Sequence, residues 1–277
     1  MNKTWLITGT STGIGRELVE RLLERGDTVA ATLRKPGALD DLKKVHGDRL
    51  WIGIADVADV STLRKVVNDA FAQLGRIDVV ISNAGYGLFG GAEEVSDEQI
   101  QRQLDTNVMG SIQLARAVLP HLREQGGGHL IQVSSTMGQR TMPFASLYCM
   151  SKWAIEGFCD ALSQEVSTLN IKVTIIEPGA TRTDFGSRSG DFAPAMNAYK
   201  DTPVGRAREM ITNSSGLAKG DPRKVAQAII DCAGQPEPPL RLTLGSDAYG
   251  VVRAALVQRL ATLDAHKDIA FSTDFDA

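Results

Sequence analysis

The chain has 277 residues, of which 43% are hydrophobic, and a formal net charge of −3. That length can bury one large core. The mild acidity, without any basic stripe, gives no reason to expect a nucleic-acid partner or binding to an anionic membrane. No apolar run approaches the roughly 18 residues needed to span a bilayer, and no leader-like segment precedes the first apolar strand, so a cytoplasmic protein is expected. Cys149, Cys159 and Cys232 are an odd set without framework spacing, so free thiols are expected. His46, His121, His129 and His266 are scattered without ligand spacing, so no metal is expected.

Along the chain, short β-branched runs alternate with helical periodicity. Trp5–Thr8 reads as a strand, followed by a helix over Ile14–Arg25 with Leu18, Leu22 and Leu23 on one face. Thr28–Thr32, Leu50–Ala55 and Ile77–Ile81 read as further strands, with a helix over Val60–Leu74. Helical stretches over Asp97–Val108 and Ile112–Gln125 follow, the first capped by Ser96. His129–Val133, a long helix at 147–169, Ile171–Ile176, a helix from near Pro222 and Leu240–Leu244 complete the pattern. Strands with helices between them imply parallel pairing and right-handed crossovers. The predicted fold is therefore α/β: a doubly wound, parallel, seven-stranded sheet between two helix layers. A single catalytic domain over 1–277 is expected. Residues 184–219 are rich in Gly, Ser, Pro, Asp and Arg and read as a substrate lid or a loop. A C-terminal extension runs from about 246 to 277, its end reading as a partner contact or a loose tail.

Three glycines, Gly9, Gly13 and Gly15, follow the first strand and open the first helix, in the run Thr8-Gly9-Thr10-Ser11-Thr12-Gly13-Ile14-Gly15. Such a loop lets backbone approach a pyrophosphate closely, and the helix N-terminus supplies N–H donors. This points to a dinucleotide cofactor. At the end of the second strand Leu33 stands where a ribose-binding acid is expected, and Arg34 and Lys35 follow it. Cations there accommodate a 2′-phosphate, which favours NADP(H), with NAD(H) possible; they could equally be solvated surface charges. Asp56, followed by Val57, could accept from an adenine amino group. Asn83-Ala84-Gly85 puts small residues beside the cofactor.

Tyr148 and Lys152 stand four residues apart, on one face of the long helix, and Ser135 lies thirteen residues upstream. A phenol titrates near 10 and is a poor acid–base catalyst at neutrality. A neighbouring ammonium favours the phenolate, so Lys152 is expected to lower the Tyr148 pKa. Tyr86, Leu88, Phe89, Met137, Met142 and Phe144 lie near motif ends and could line an apolar pocket or pack beneath the loops. Arg182 and Arg188 could meet an anionic substrate or be solvated.

These motifs, in this order and spacing over residues 4 to about 183, resemble the short-chain dehydrogenase/reductases, in the branch of about 250 residues built on a single Rossmann domain. The resemblance implies NAD(P)-dependent interconversion of a ketone or aldehyde with an alcohol. It implies Tyr148 as general acid–base, Lys152 as its electrostatic partner and ribose ligand, and Ser135 as donor to the substrate oxygen. It further implies Asn107 holding a relay water, and Pro178, Gly179, Thr181 and Thr183 around the nicotinamide amide. Homodimers or homotetramers are implied too, through the helices at 112–125 and 149–169. A cofactor-sensing regulator, or an epimerase or dehydratase on the same scaffold, are the competing readings.

Overall fold

The computed structural model describes residues 2–183, 185, 189–213 and 218–275. The chain runs β1 (Thr4–Thr8), α1 (Gly13–Glu24), β2 (Thr28–Leu33), α2 (Asp40–His46), β3 (Leu50–Ile54), α3 (Val60–Leu74), β4 (Val79–Ser82) and β5 (Gly87–Phe89). It continues through α4 (Asp97–Gln103), α5 (Gly110–Glu124), β6 (Gly128–Val133), α6 (Ser146–Glu165), β7 (Ile171–Pro178) and β8 (Gly190–Phe192). The last elements are α7 (Pro203–Asn213), α8 (Pro222–Ala233), β9 (Arg241–Leu244), α9 (Ser246–Ala265) and α10 (Lys267–Phe271).

Among the described residues seven strands form one sheet in the order β3-β2-β1-β4-β6-β7-β9, every pair parallel. Side chains alternate across each strand. Trp5 and Ile7 of β1 therefore join one core with Leu18 and Leu22 of α1 and Ile229 of α8. Leu6, between them, joins the opposite core with Phe71 of α3, Leu114 of α5 and Ile155 of α6. Both faces are covered, which is why the strands are almost wholly apolar. The doubly wound, three-layer architecture expected from the alternation is what forms. The strand order reverses between β1 and β4, and the crevice at the C-terminal ends of such strands is where ligands bind in open α/β sheets.

Helix starts follow local chemistry. Asp59 caps α3 by accepting from Ser61 N and Thr62 N, each at 3.1 Å. Ser96 and Gln99 form a reciprocal capping box at α4.

Several elements depart from the sequence reading. The helices expected at 97–108 and 112–125 are one continuous run, joined by a π-helical turn at Leu104–Met109. Gly110 and Pro120 lie inside that run without ending it, and π-turns inside helices often mark functional sites. Residues 184–219 contain β8, which pairs with β5 in a small second sheet, and α7. The C-terminal extension holds the 20-residue helix α9. Helix α2 was not anticipated either: its short run buries none of its residues and only Leu42 packs against the core.

His129 on β6 is buried, its Nε2 2.9 Å from Thr174 Oγ1. Burial, with smaller contributions from Lys172 and Lys3, pushes its pKa down to about 4. The unfolded chain, with an imidazole near 6.5, then binds more protons below that pH. Stability from this group is full above about pH 6.5 and falls towards pH 4, by about 3 kcal/mol in all. The variant His129→Gln should show a flatter fall of the urea midpoint over that window; an unchanged slope would exclude His129 as its source.

Candidate active site

At the switch point the glycine loop meets the end of β4 with no room for side chains. Gly9 has φ +71°, and a Cβ there would lie 2.8 Å from Ala84 Cα. A Cβ on Gly15 would lie 2.3 Å from Gly9 O and 2.6 Å from Asn83 Nδ2. Asn83 locks this contact: its Nδ2 donates to Thr8 O and Gly9 O at 3.0 Å, while Asn83 N and Ala84 N donate to Thr8 Oγ1 at 3.1 Å. Thr12 at the start of α1 makes no capping hydrogen bond through its side chain, and no acidic residue lies in the first turn. The helix thus presents uncapped N–H groups to the crevice, a cradle fit for a pyrophosphate. Ser11 and Ile14 complete this loop. Gly85, close behind, sits where a Cβ would be 3.2 Å from Asn107 Oδ1 and 3.9 Å from Lys152 Nζ.

Arg34 and Lys35 lie exposed just beyond β2. Their loop is tethered by Arg16 of α1, which donates to Ala38 O and pairs with Asp41. Arg16 escaped the sequence reading because its partners are 22 and 25 residues away. Asp56 is exposed and its Oδ1 accepts from Ala58 N at 3.0 Å. Val57 is buried against Gly110, where a Cβ would come within 2.9 Å of Val57 Cγ2.

On the opposite wall β7 ends in Pro178-Gly179. Gly179 N donates to Leu244 O at 2.8 Å, and Ala180 N donates to Asp247 Oδ2 at 2.9 Å. Thr181 Oγ1 donates to Gly179 O at 3.1 Å. Thr183 reaches back over the glycine loop, since a Cβ on Gly13 would be 3.4 Å from Thr183 Cβ. The segment after β7 therefore meets the glycine loop across the crevice.

Helix α6 delivers Tyr148 and Lys152 together, both buried. The Lys152 Nζ donates to Val133 O at the end of β6, at 3.1 Å, and stands 5.8 Å from the Tyr148 ring centroid. Burial pushes the Lys152 pKa down to about 8, opposed by the nearby Glu156 carboxylate. The Tyr148 phenol does not follow the expectation from sequence. Burial drives its pKa up, and the opposing influence is a hydrogen bond with Ser135. The reason is physical: desolvation penalises the phenolate, and the ammonium is turned towards the Val133 carbonyl. Ser135 leaves β6 in extended conformation and its Oγ accepts from Met137 N at 3.2 Å.

Asn107 lies in the π-turn, and both ends of its amide serve the backbone of Tyr86. Its Oδ1 accepts from Tyr86 N at 3.0 Å and its Nδ2 donates to Tyr86 O at 2.8 Å. The side chain thus clamps the chain after Gly85 beside Lys152.

Glu156 was missed by the sequence reading, although it stands one turn beyond Lys152 on the same face. It is 2% exposed. Ser134 Oγ donates to its Oε1 at 2.7 Å, and Gln139 Nε2 donates to its Oε2. A Cβ on Gly138 would collide with it, at 1.9 Å from Oε1. Arg241 of β9 lies 3.6 Å from Glu156 and 3.7 Å from Glu177. One carboxylate thus ties the exit of β6, the turn after Ser135 and helix α6 into a single unit.

The surroundings of the Tyr148 ring are aromatic. Phe89, Phe144, Tyr148, Cys149 and Ala207 form one buried cluster, with Met137, Met142, Phe185, Phe192 and Val204 against it. Tyr86 and Leu88 belong to a separate cluster with Val95 and Ala193. Phe185 stands 5.8 Å from Tyr148, ring to ring. It and Phe192 come from the 184–219 segment, where their isolated apolar character carried no periodicity. Phe144 holds φ +73°, an unusual backbone for a bulky residue. The Arg208 guanidinium caps its ring at 4.6 Å and pairs at 2.7 Å with the buried Glu94, fastening α7 over the cluster. Arg182 points elsewhere, donating to Ala218 O at 2.7 Å; Arg188 lies outside the described residues.

The sequence profile of the short chain dehydrogenase family matches residues 3–192. Oxidoreductase BOA17 of Botryotinia fuckeliana is 40% identical over 249 residues, 90% of each protein. A crystal structure of a short-chain dehydrogenase from Streptomyces avermitilis superimposes with a TM-score of 0.92 at 36% identity, covering 99% of this chain and 100% of that one. The closed form of serine dehydrogenase complexed with NADP+ aligns with a TM-score of 0.74 at 26% identity, over 87% of this chain and 94% of that one. With its glycine cradle at the switch point and its paired Tyr148 and Lys152, this chain is an oxidoreductase of the short-chain dehydrogenase/reductase family.

Proposed function

We propose that the chain is an NADP(H)-preferring reductase that interconverts a ketone or aldehyde with the corresponding alcohol, acting on an apolar or ring-bearing substrate. The observation that carries this reading is the meeting of Ser135, Tyr148 and Lys152 at a buried aromatic cluster, beside the glycine cradle. The nicotinamide nucleotide supplies the hydride when bound. Gly9, Ser11, Thr12, Gly13, Ile14 and Gly15 would hold its pyrophosphate and Arg34 its 2′-phosphate. Asp56 and Val57 would receive the adenine, Asn83, Ala84 and Gly85 the adjoining ribose. Pro178, Gly179, Thr181 and Thr183 would meet the carboxamide, and Tyr148 and Lys152 the nicotinamide ribose.

In the reductive direction Ser135 and Tyr148 donate to the substrate oxygen as its negative charge develops. Tyr148 then releases its proton to that oxygen. A buried phenol with a raised pKa is fully protonated at neutrality, as a proton donor must be. Lys152, charged and close, steadies the phenolate left behind. Asn107 holds the wall that faces Lys152 and leads its proton path. Residues 184–219 act as the lid, through Phe185, Phe192 and α7. The whole chain serves as one catalytic domain, with 246–277 as an extension of it. Three buried free cysteines accord with a reducing, cytoplasmic setting. A homodimer or homotetramer is the expected assembly.

Three measurements test this reading. Tyr148→Phe keeps the shape of the pocket and removes the proton; turnover of NADPH with a panel of apolar ketones should drop by at least about 10²-fold. Near-normal turnover in that variant would remove Tyr148 from the chemistry. Absence of net NADPH consumption by the wild type, with tight NADPH binding, would favour a sensor or a non-redox enzyme. Arg34→Ala should weaken NADPH by about 10-fold or more, the worth of a charge-assisted hydrogen bond, and leave NADH nearly unchanged; equal losses for both would exclude the 2′-phosphate contact. Finally, Lys152 must stay charged to steady the phenolate, so reductase activity should decline as pH rises through its pKa of about 8. Glu156→Gln removes the carboxylate that supports this charge. It should move the alkaline limb to lower pH, whereas a purely structural role would lower activity at every pH without moving the limb.

A further inference from the structure

Beneath the turn that carries Ser135 lies a group of charges drawn from α6, β7 and β9. In the paired strands Ile175 stands opposite Arg241, and Glu177 opposite Thr243. Ile175 belongs to the core shared with Ile155 and Cys159 of α6. Alternation therefore turns Glu177, Arg241 and Thr243 to that same side. On α6, Lys152, Glu156 and Asp160 follow at four-residue steps and share one helix face. Both glutamates are buried, Glu177 to 1% exposure. One guanidinium nitrogen serves the two of them: Arg241 Nε is 3.6 Å from Glu156 Oε2 and 3.7 Å from Glu177 Oε1. Its Nη2 donates to the Asp160 carboxylate nearer the surface, at 2.7 Å. Thr243 Oγ1 donates to Glu177 Oε2 at 2.6 Å. Among the described residues, buried Arg241 Nε and Glu177 Oε1 have no hydrogen-bond partner. The cation holds the buried carboxylates by charge, at a distance just beyond a hydrogen bond.

We propose that Arg241 is a positioning residue for the reaction, completing a neutral set of four inward-facing charges that holds the Ser135 turn against α6. The proposal rests on the roles given to Ser135 and Lys152 in the reductase reading. Lys152 and Arg241 stand against Glu156 and Glu177. Two carboxylates in one dry site cannot both stay ionised without a cation between them. Burial already pushes the Glu177 carboxyl up; the Thr243 hydrogen bond and Arg241 oppose that, and Glu156 adds to it. Glu156 has to be ionised to accept from Ser134 Oγ and Gln139 Nε2 together, and these two residues flank Ser135 in the chain. Without Arg241 the glutamate pair takes up a proton that belongs to both, and the turn loses an acceptor. Removing the Glu177 charge as well leaves Lys152 and Glu156 to balance each other.

The other groups around the pair do not take over the part of Arg241. The Cys159 thiol of α6, pushed up to about 12 by burial, is uncharged. From α9, Arg259 donates to Gln139 O at 3.0 Å and Asp247 accepts from Ala180 N at 2.9 Å. Arg241 lies on the last strand, outside the residues 3–192 matched by the family profile.

Arg241→Met keeps the stem of the side chain and removes the cation. At saturating NADPH its kcat should fall by about 10-fold or more, the scale of a misplaced reacting group, while NADPH affinity is retained because the glycine loop is untouched. Arg241→Met/Glu177→Gln should regain most of that loss, which a packing defect would not. Urea unfolding gives a readout that needs no substrate. In Arg241→Met the folded pair keeps a proton that unfolded carboxylates release near 4.3, so its stability relative to the wild type should fall as pH rises from about 4.3 through the raised pKa of the pair. The double variant should show no such fall. Near-normal kcat in Arg241→Met would overturn the proposal. So would a loss that Glu177→Gln does not repair, or a stability difference that stays constant with pH. A wild type that reduces no carbonyl would instead remove the reductase reading, and the urea midpoints would still decide whether Arg241 balances the buried glutamates.

Discussion

Burying an ammonium costs free energy unless every donor finds a partner, and the site is organised around that cost at Lys152. The side chain is taken out of water by α6 and pressed against the end of the sheet. The Val133 carbonyl accepts a hydrogen bond from it. The Glu156 carboxylate one helical turn away offsets part of the desolvation. What remains is a cation held close to a neutral phenol in a dry site, where charge interactions are strong. Ser135 stays aligned because Glu156 binds Ser134 and Gln139 on either side of it. The network that tolerates the buried lysine also positions the Ser135 and Tyr148 hydroxyls.

The same economy of space governs the crevice. Thr8, Gly9, Asn83 and Ala84 form one contact in which backbone touches backbone. It sits where the strand order reverses, so the loops after β1 and β4 diverge and leave a cleft between them. Opposite, Asp247 and Leu244 hold the turn after β7. The last strand and the start of α9 thereby help hold the wall of the crevice, although they lie outside the region matched by the family profile.

The aromatic cluster is built by a different device. Phe144 accepts a left-handed backbone just before α6, a conformation that costs energy in a bulky residue. Its ring is buried among Phe89, Phe192 and the Arg208 guanidinium. The small β5/β8 sheet carries two of those aromatic rings. The β8 and α7 segments are thus joined to β5 and the start of α6 by aromatic stacking and by the Arg208–Glu94 pair.

Much of this was legible in residue order. Periodicity located the strands and most helices because burial on two sheet faces imposes it locally. The glycine loop, Asn83-Ala84-Gly85, and the Tyr148–Lys152 spacing were readable because their chemistry depends on short separations along the chain. Contacts between distant residues were not. Glu156 with Arg241, Arg208 with Glu94, and Arg16 with Asp41 pair residues 25 to 114 positions apart, and nothing in a linear pattern announces such meetings. Nor could composition tell that α9 would form and fasten to the body through Asp247 and Arg259. The sign of the Tyr148 pKa shift also lay beyond the sequence: a lysine four residues away argues downward, and burial, which only packing decides, drives it up. By itself the sequence determined the alternating α/β order and the identity of the reactive groups, since both rest on local spacing. The tertiary structure decided how deeply those groups are buried and what faces them, because burial is a property of the whole packed chain.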